Sequence, residues 1–499
     1  MVSRNDCAAS WRPSRGFAFA LPAAAGLCFA SHLALAAPPQ IQMPTEEQLQ
    51  PGETPSTVQG SDFISGLART NFLLGNIGGL RPFLAQYGIS LALQETSEVL
   101  GNVSGGLHKG FEYDGLTQAA LQLDTNRAFG WYGGLFNVSA LQIHGRDLSA
   151  DNLGTLQTAS GIEADRATRL WELWYDQKFL EEDRGSIRIG QQSLDQEFIV
   201  SQNASYFVNT MFGWPMVPSA DLPGGGPAYP LSALGIRAKW RPIAPVTFLV
   251  GVFNGSPVSN NAVGDPQQLN ASGTSFPLNG GPMVIAEMQY SYPALGTMLY
   301  ANENEPLARV YKLGFWYNHE NFNDLRFDNT GLSLANPAST GIPQPHRGDY
   351  SIYAVADQMV WVDPQEADRN INLFARAMGT PETDRNLIDF SLNAGMIFHE
   401  PFLHRDDDTF GIGMGFAKIS PQAAGLDQDT AFYNPGTFTP KRTSETFIEV
   451  TYQYAVAPWL MLQPDFQYVF NPGGGIANTS GTAKVGDEAV IGVRTNILF

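Results

Sequence analysis

Seven histidines are the side chains most able to bind a metal or relay a proton, and their spacing decides what they can do. They are His32, His108, His144, His319, His346, His399 and His404, and no His-Glu-x-x-His pair occurs among them. The nearest approach is His399-Glu400-Pro401-Phe402-Leu403-His404. A spacing of five with a proline inside does not set both imidazoles on one helical face. Asp406, Asp407 and Asp408 add donors for a cation, while the plainer reading is a solvated turn between strand-like runs at 388–398 and 410–417. Gly411, Gly413 and Gly415 imitate a phosphate loop, but they alternate with Phe410, Ile412, Met414 and Phe416, which is strand spacing. A phosphate cradle needs a helix N-terminus, and no helix pattern is expected after these glycines. The stripe reads instead as a smooth inner wall against which a loop or plug packs. Nucleophile-elbow, Gly-Lys-Ser/Thr and EF-hand patterns are missing from the sequence. No cofactor is expected, and an enzyme built on distant carboxylate pairs stays only as an alternative.

Composition narrows the class. Charged residues are 15% of the chain, against about 25% in ordinary soluble domains. Glycine (51), proline (33), phenylalanine (31) and tyrosine (17) fill the gap, a mix suited to strands joined by long polar loops. A net charge of −19 repels a phosphate backbone, so nucleic acid is not an expected partner. Residues 1–36 read as a secretory signal peptide: Arg4, Arg12 and Arg15 form the basic region, Gly16 to Ala30 is weakly apolar, and Ala34-Leu35-Ala36 is a cleavage site. Both cysteines, Cys7 and Cys28, lie in that segment. The exported chain then has no thiolate for a zinc site or redox pair and is held together by something other than disulfides. No later segment reaches the roughly 18 consecutive apolar residues of a membrane-crossing helix.

The elements that would position any site are strands. Residues 37–60 are Pro-, Gln- and Glu-rich without a period and read as a flexible leader. Residues 61–86, with Phe63, Ile64, Leu67, Phe72 and Leu73, read as a short helical segment. From residue 87 to 499 the dominant period is two. In the last segment Ala489, Ile491, Val493, Thr495, Ile497 and Phe499 share one face, and Val490, Gly492, Arg494, Asn496 and Leu498 the other. Similar runs lie at 170–179, 186–192, 234–240, 246–253, 283–292, 309–318, 371–378, 388–398 and 410–417. Many approach the 9–11 residues of a tilted transmembrane strand, with aromatics such as Tyr454, Trp459, Tyr468 and Phe470 at their ends. Short turns (181–184, 454–459) alternate with long polar loops (145–169, 203–232, 254–282, 329–349, 418–444, 471–486). In outer-membrane barrels the short turns are periplasmic and the long loops extracellular. The expected fold is therefore all-β, a transmembrane antiparallel β-barrel facing outer-membrane lipid.

If the apolar face meets lipid, the opposite face lines water. It carries Gln122, Asp124, Glu172, Trp174, Asp176, Arg188, Gln192, Arg237, Lys239, Arg376, Gln463, Asp465, Gln467 and Arg494. Mixed charges and amides hydrogen-bond neutral polyols without committing to one ion, and an indole such as Trp174 can stack on a sugar face. A passive diffusion channel is the function this pattern fits.

Several segments in order also carry a family likeness. They are Leu73-Leu74-Gly75-Asn76-Ile77-Gly78-Gly79-Leu80-Arg81-Pro82, Leu170-Trp171-Glu172-Leu173-Trp174-Tyr175-Asp176-Gln177, Ile187-Arg188-Ile189-Gly190-Gln191-Gln192, Phe374-Ala375-Arg376 and Pro464-Asp465-Phe466-Gln467-Tyr468 through Gly473. With these the chain resembles the carbohydrate-selective porins of the Gram-negative outer membrane, the porin B family. The resemblance implies 16 strands, a short N-terminal helix and passage of glucose and related sugars. Asn76-Ile77 departs from the Asp-Trp common at that place in the family. Phe499 is similar to the terminal signal by which outer-membrane barrels meet the assembly machinery. The alternatives are a porin for other small solutes or anions, and a secreted or periplasmic β-rich glycan-binding protein or hydrolase. A homo-oligomer is compatible with either channel reading.

Overall fold

The computed structural model of the chain describes residues 41–44, 70–259, 263–293, 307–403 and 405–499. The expected signal peptide 1–36, most of the leader 37–60, residues 61–69 with Phe63, Ile64 and Leu67, and His404 lie outside the described residues.

Sixteen antiparallel strands close into one barrel. They are β1 (Ile89–Ser104), β2 (Gly110–Asp124), β3 (Gly134–Gly145), β4 (Ala167–Phe179), β5 (Gly185–Gln192), β6 (Ala233–Ile243), β7 (Val246–Asn254), β8 (Pro282–Tyr292), β9 (Arg309–Asp328), β10 (Pro343–Val362), β11 (Asn370–Gly379), β12 (Ile388–His399), β13 (Thr409–Ile419), β14 (Ser444–Ala457), β15 (Leu460–Phe470) and β16 (Glu488–Leu498). Each strand pairs with its chain neighbours, and β1 pairs with β16 to shut the ring. Closure leaves no unpaired edge, which a sheet crossing hydrocarbon requires.

Alternation sorts the side chains. In β11 Leu373 is 42% exposed on the outer surface, while its neighbour Phe374 is 3% exposed inside. Short turns such as Leu180 to Arg184 lie at the end of the barrel that holds the start of β1 and the chain's C-terminus, and the long loops lie at the other. At the turn end the short helix Leu80–Ala85 precedes β1. Arg81 ties this segment to the last strand: it donates to the carbonyls of Gly75 and Phe499, and its guanidinium lies 4.1 Å over the Phe72 ring. The Leu73 amide donates to Leu498 O at 2.8 Å.

Three expectations need correcting. The run expected at 309–318 continues to Asp328, and β10 begins at Pro343 inside the expected loop 329–349. These strand ends include Asn318, Glu320, Asn321, Asn323 and Asp324, so the hydrophobic alternation that marks a wall against lipid fades there. The loop expected at 203–232 begins at Ser193, where β5 ends. The segment 418–444 holds a 13-residue helix, Pro421–Tyr433, although no helix was expected after the glycine stripe. Its start signal is local: Ser420 Oγ accepts from the Ala423 amide, and Pro421 occupies the first turn. Arg326 of β9 holds it through Asp429 at 2.7 and 3.0 Å.

Candidate functional site

The loop between β5 and β6, residues 193–232, folds into the lumen. Phe198, Ile199, Phe207, Met211, Phe212 and Trp214 form one buried cluster with the inward side chains Trp316, Tyr353, Phe374, Ile397 and Phe447. Phe207 and Phe212 stack at 4.3 Å, and both rings meet Phe374 at 5.6 Å. The glycine stripe of β13 makes this possible. A Cβ on Gly413 would stand 2.7 Å from Phe212 and 2.9 Å from Phe207, and one on Gly411 3.1 Å from Phe207. The three glycines thus form the smooth wall that their alternation implies.

Polar groups of the wall then pin the loop's backbone. Arg376 of β11 donates to the carbonyls of Ile199 (3.1 Å), Gly213 (2.8 Å) and Met211. Glu449 of β14 accepts from the amides of Val208 (2.6 Å) and Asn209 (2.9 Å). Glu287 of β8 accepts from the Ile199 amide at 2.8 Å and from the Tyr353 hydroxyl at 2.9 Å. Gln463 donates to Tyr206 O at 2.8 Å, while Gln467 holds the neighbouring β3–β4 loop through Ala159 O at 2.7 Å. Arg494 pairs with Glu98 at 2.9 Å and reaches Val208 O at 3.3 Å. A buried loop must have its backbone groups satisfied, and this side of the lumen supplies the partners.

A second inward sector keeps its charges for one another. On β4, β5 and β6, Arg237 contacts Asp176 at 2.8 Å and Glu197 at 2.7 Å, and Arg188 contacts the same two carboxylates at 3.2 and 3.4 Å. Glu197 comes from the inserted loop, so this cluster joins loop to wall. Arg237 also donates to Ser186 Oγ at 2.6 Å. The Arg188 guanidinium lies 3.9 Å over the Trp174 ring, which covers one face of that indole. Arg188 and Lys239 remain partly exposed.

The structure therefore divides the fourteen candidate residues. Asp176, Arg188 and Arg237 meet in one cluster, with Trp174 beneath it and Lys239 on the same inner face of β6. Glu172 is buried and accepts from the Ser193 amide at 3.1 Å, while Gln192 donates to Gly235 O at 3.2 Å. Arg376, Gln463, Gln467 and Arg494 bind the inserted loops, and Asp465 accepts from Gln467 at 2.9 Å. Gln122 donates to Asn137 at 3.2 Å. Asp124 caps the short helix Thr125–Phe129, and both border a cavity at the turn end that Pro44 also lines. Glu197, Glu287, Glu449 and Glu98 were not among the candidates. Glu287 and Glu449 stood on the polar face of period-two runs, a signal that was available; Glu197 lies in a loop without a period.

At the candidate cation segment Asp408 is occupied by protein donors. Arg405 contacts it at 2.6 and 2.8 Å, and the Ala455 amide donates to it at 3.0 Å. Arg405 holds this carboxyl below its ordinary range despite some burial. Inside the inserted loop the opposite shift occurs. Burial pushes the Asp195 carboxyl up to about 6, against hydrogen bonds from Ser193 Oγ (2.6 Å) and the Tyr229 amide (3.0 Å).

Comparison with known proteins gives a consistent picture. A family model described as "Carbohydrate-selective porin, OprB family" matches residues 108–499. Porin B of Pseudomonas aeruginosa is 24% identical over 463 residues, covering 86% of this chain and 92% of that protein. A putative porin, QuiX, of Acinetobacter baylyi is 21% identical over 452 residues, covering 86% and 93%. Among solved structures, the high-pH form of Pseudomonas putida OprB superposes with a TM-score of 0.73 at 23% identity, covering 87% of this chain and 99% of that one. This last likeness is one of fold.

Proposed function

Because the chain belongs to the carbohydrate-selective porins of the OprB family, we propose that it passes small, glucose-like sugars into the periplasm by passive diffusion, along the inner sector formed by β4, β5 and β6. The chain is an outer-membrane channel, and its family is named for carbohydrate selectivity. The finer reading concerns which sugars pass and which residues they touch.

The observation that carries it is the division of the lumen. One sector is filled by the 193–232 loop, and the other presents Arg188, Arg237, Asp176 and Glu197 as a fixed cluster of both signs. Fixed donors and acceptors exchange hydrogen bonds with sugar hydroxyls as water is shed, and paired charges attract no single ion strongly. Arg188 and Lys239, partly exposed, are the groups assigned to contact sugar, while Trp174 holds the Arg188 fork in place. Gln122 and Asp124 are assigned to the periplasmic mouth. No catalytic step and no energy coupling are assigned. In the same reading residues 1–36 are removed on export, 37–60 form a leader, 61–86 carry the short helix, and 87–499 are the barrel, delivered to its assembly machinery through the terminal Phe499.

Liposome swelling tests the proposal. Vesicles containing the purified protein should swell faster in glucose than in a disaccharide or a small organic anion. Equal rates for all three, or preference for the anion, would replace the sugar reading with that of a general or anion channel.

A further inference from the structure

At the long-loop end of the barrel, β9 and β10 carry two members of a side-chain group that the sugar path does not use. The register sets His346 of β10 opposite Phe322 of β9, and Asp324 stands two residues further along the same face of β9. The connection between β11 and β12 passes beside them, where the Leu325 amide donates to Asp384 O at 2.7 Å. His346 Nε2 lies 2.8 Å from Asp324 Oδ2 and 3.6 Å from Asp384 Oδ2. One donor atom from each of the three side chains falls within 4.8 Å of the other two.

The protein around the group fixes the atoms that face one another. Asp324 Oδ1 accepts from the amides of Arg326 and Phe327, each at 2.7 Å, which leaves Oδ2 turned to His346. Arg385 grips Asp384 at 2.8 Å on Oδ1 and 3.3 Å on Oδ2, and Oδ2 keeps a second lone pair. Arg385 is itself anchored on the Gly348 carbonyl at 2.6 Å and on Glu382 at 2.9 Å. Outer contacts of this kind orient the ligands of a metal ion and strengthen its binding. The Asp324 side chain is buried, while those of His346 and Asp384 are 16% and 33% exposed, so an ion can enter from water.

We propose that Asp324, His346 and Asp384 form a zinc site at the long-loop end of the barrel, with water as the fourth ligand. Tetrahedral zinc bonds of about 2.0–2.1 Å set neighbouring ligand atoms roughly 3.3 Å apart. The separations of 2.8 and 3.6 Å around His346 Nε2 bracket that spacing. An imidazole among the ligands favours zinc over calcium or magnesium, which take oxygen ligands, six or more of them for calcium. The ion takes the place of the Nε2 proton, so the imidazole gives it a lone pair instead of a hydrogen bond to Asp324. It ties β9 and β10 to the β11–β12 connection, whose Leu387 amide donates to Asp221 of the inserted loop at 2.7 Å. Zinc there braces the wall next to the loop that fills the lumen.

Zinc binding to the purified, tag-free protein in detergent tests this. After chelator treatment and return of Zn2+ alone, the parent chain should retain one zinc per chain through gel filtration. X-ray absorption of that sample should show a single imidazole with oxygen ligands at about 2.0 Å. His346→Gln and Asp384→Asn should each weaken binding at least tenfold while the heat-dependent mobility shift of a folded barrel persists. His108→Gln, at an exposed histidine between β1 and β2, should bind as the parent does. Ca2+ at equal concentration should not displace the ion. No retained zinc, more than one imidazole on it, displacement by Ca2+, or binding untouched by His346→Gln would overturn the proposal and leave His346 as an ion-pair partner of Asp324.

Discussion

Two sectors of the same inner wall are built on the same alternation and put to opposite uses. On β11 and β13–β15, inward Phe374 and Phe447, the Gly411–Gly415 stripe, Arg376 and Glu449 receive the 193–232 loop and satisfy its backbone. On β4–β6, inward Asp176, Arg188 and Arg237 satisfy one another and Glu197. Facing inward is therefore not the same as lining a channel. A charged residue on the inner face can be a clamp for a loop or a contact for a solute, and only its partners distinguish the two.

The contrast can be broken from the clamp side first. Arg376→Ala leaves three loop carbonyls without their donor in a buried place, at a cost on the order of 3–5 kcal/mol. The barrel should still form, seen as a retained heat-dependent shift on electrophoresis, while single-channel conductance rises and becomes noisier. Unchanged conductance would mean that Arg376 does not hold the loop.

Asp195 gives a pH-dependent version of the same test. Its folded-state pKa of about 6 lies above the ordinary 3.8. The folded loop therefore binds the proton more tightly than the unfolded chain does. The resulting stability is fully present below pH 4 and is lost as pH rises through 6. Asp195→Asn should remove the Asp195 share of this slope and stabilise the loop near pH 7 by up to about 3 kcal/mol, read as a shallower fall in protease resistance of the loop between pH 4 and 7. A slope unchanged by the substitution would assign it to other groups.

Gly413→Ala pushes a methyl into the Phe207 and Phe212 rings and should cost roughly 1–3 kcal/mol, lowering the thermal midpoint without touching the charged sector. Sugar discrimination equal to that of the parent protein is the expected companion result. The smallest effect on stability is expected from Arg188→Ala, because Asp176 and Glu197 keep the Arg237 guanidinium as their partner. Its effect should fall instead on sugar-dependent current block. A large loss of stability with unchanged block would place Arg188 among the clamps.

Much of this architecture was legible beforehand. Lipid on one side and water or packed loop on the other impose a period of two, and that period located the strands from Ala167 to Asn254 to within a few residues. It faded where β9 and β10 leave the membrane, because both faces are then wet. The glycine stripe was readable as a packing wall because its spacing matched a strand, although the rings that fill it, Phe207 and Phe212, lie in a loop with no period. The division of the candidate residues was not legible at all. Arg376 and Arg188 look alike as inward arginines, and what separates them is a loop that begins at Ser193 and returns through the barrel.

Single-channel current in a planar bilayer, titrated with glucose, tests the central claim most directly. The parent protein should show discrete steps that glucose partly and saturably blocks, and Arg188→Ala should weaken that block while the steps remain. A channel whose current is indifferent to glucose, in the parent and the variant alike, would contradict the account.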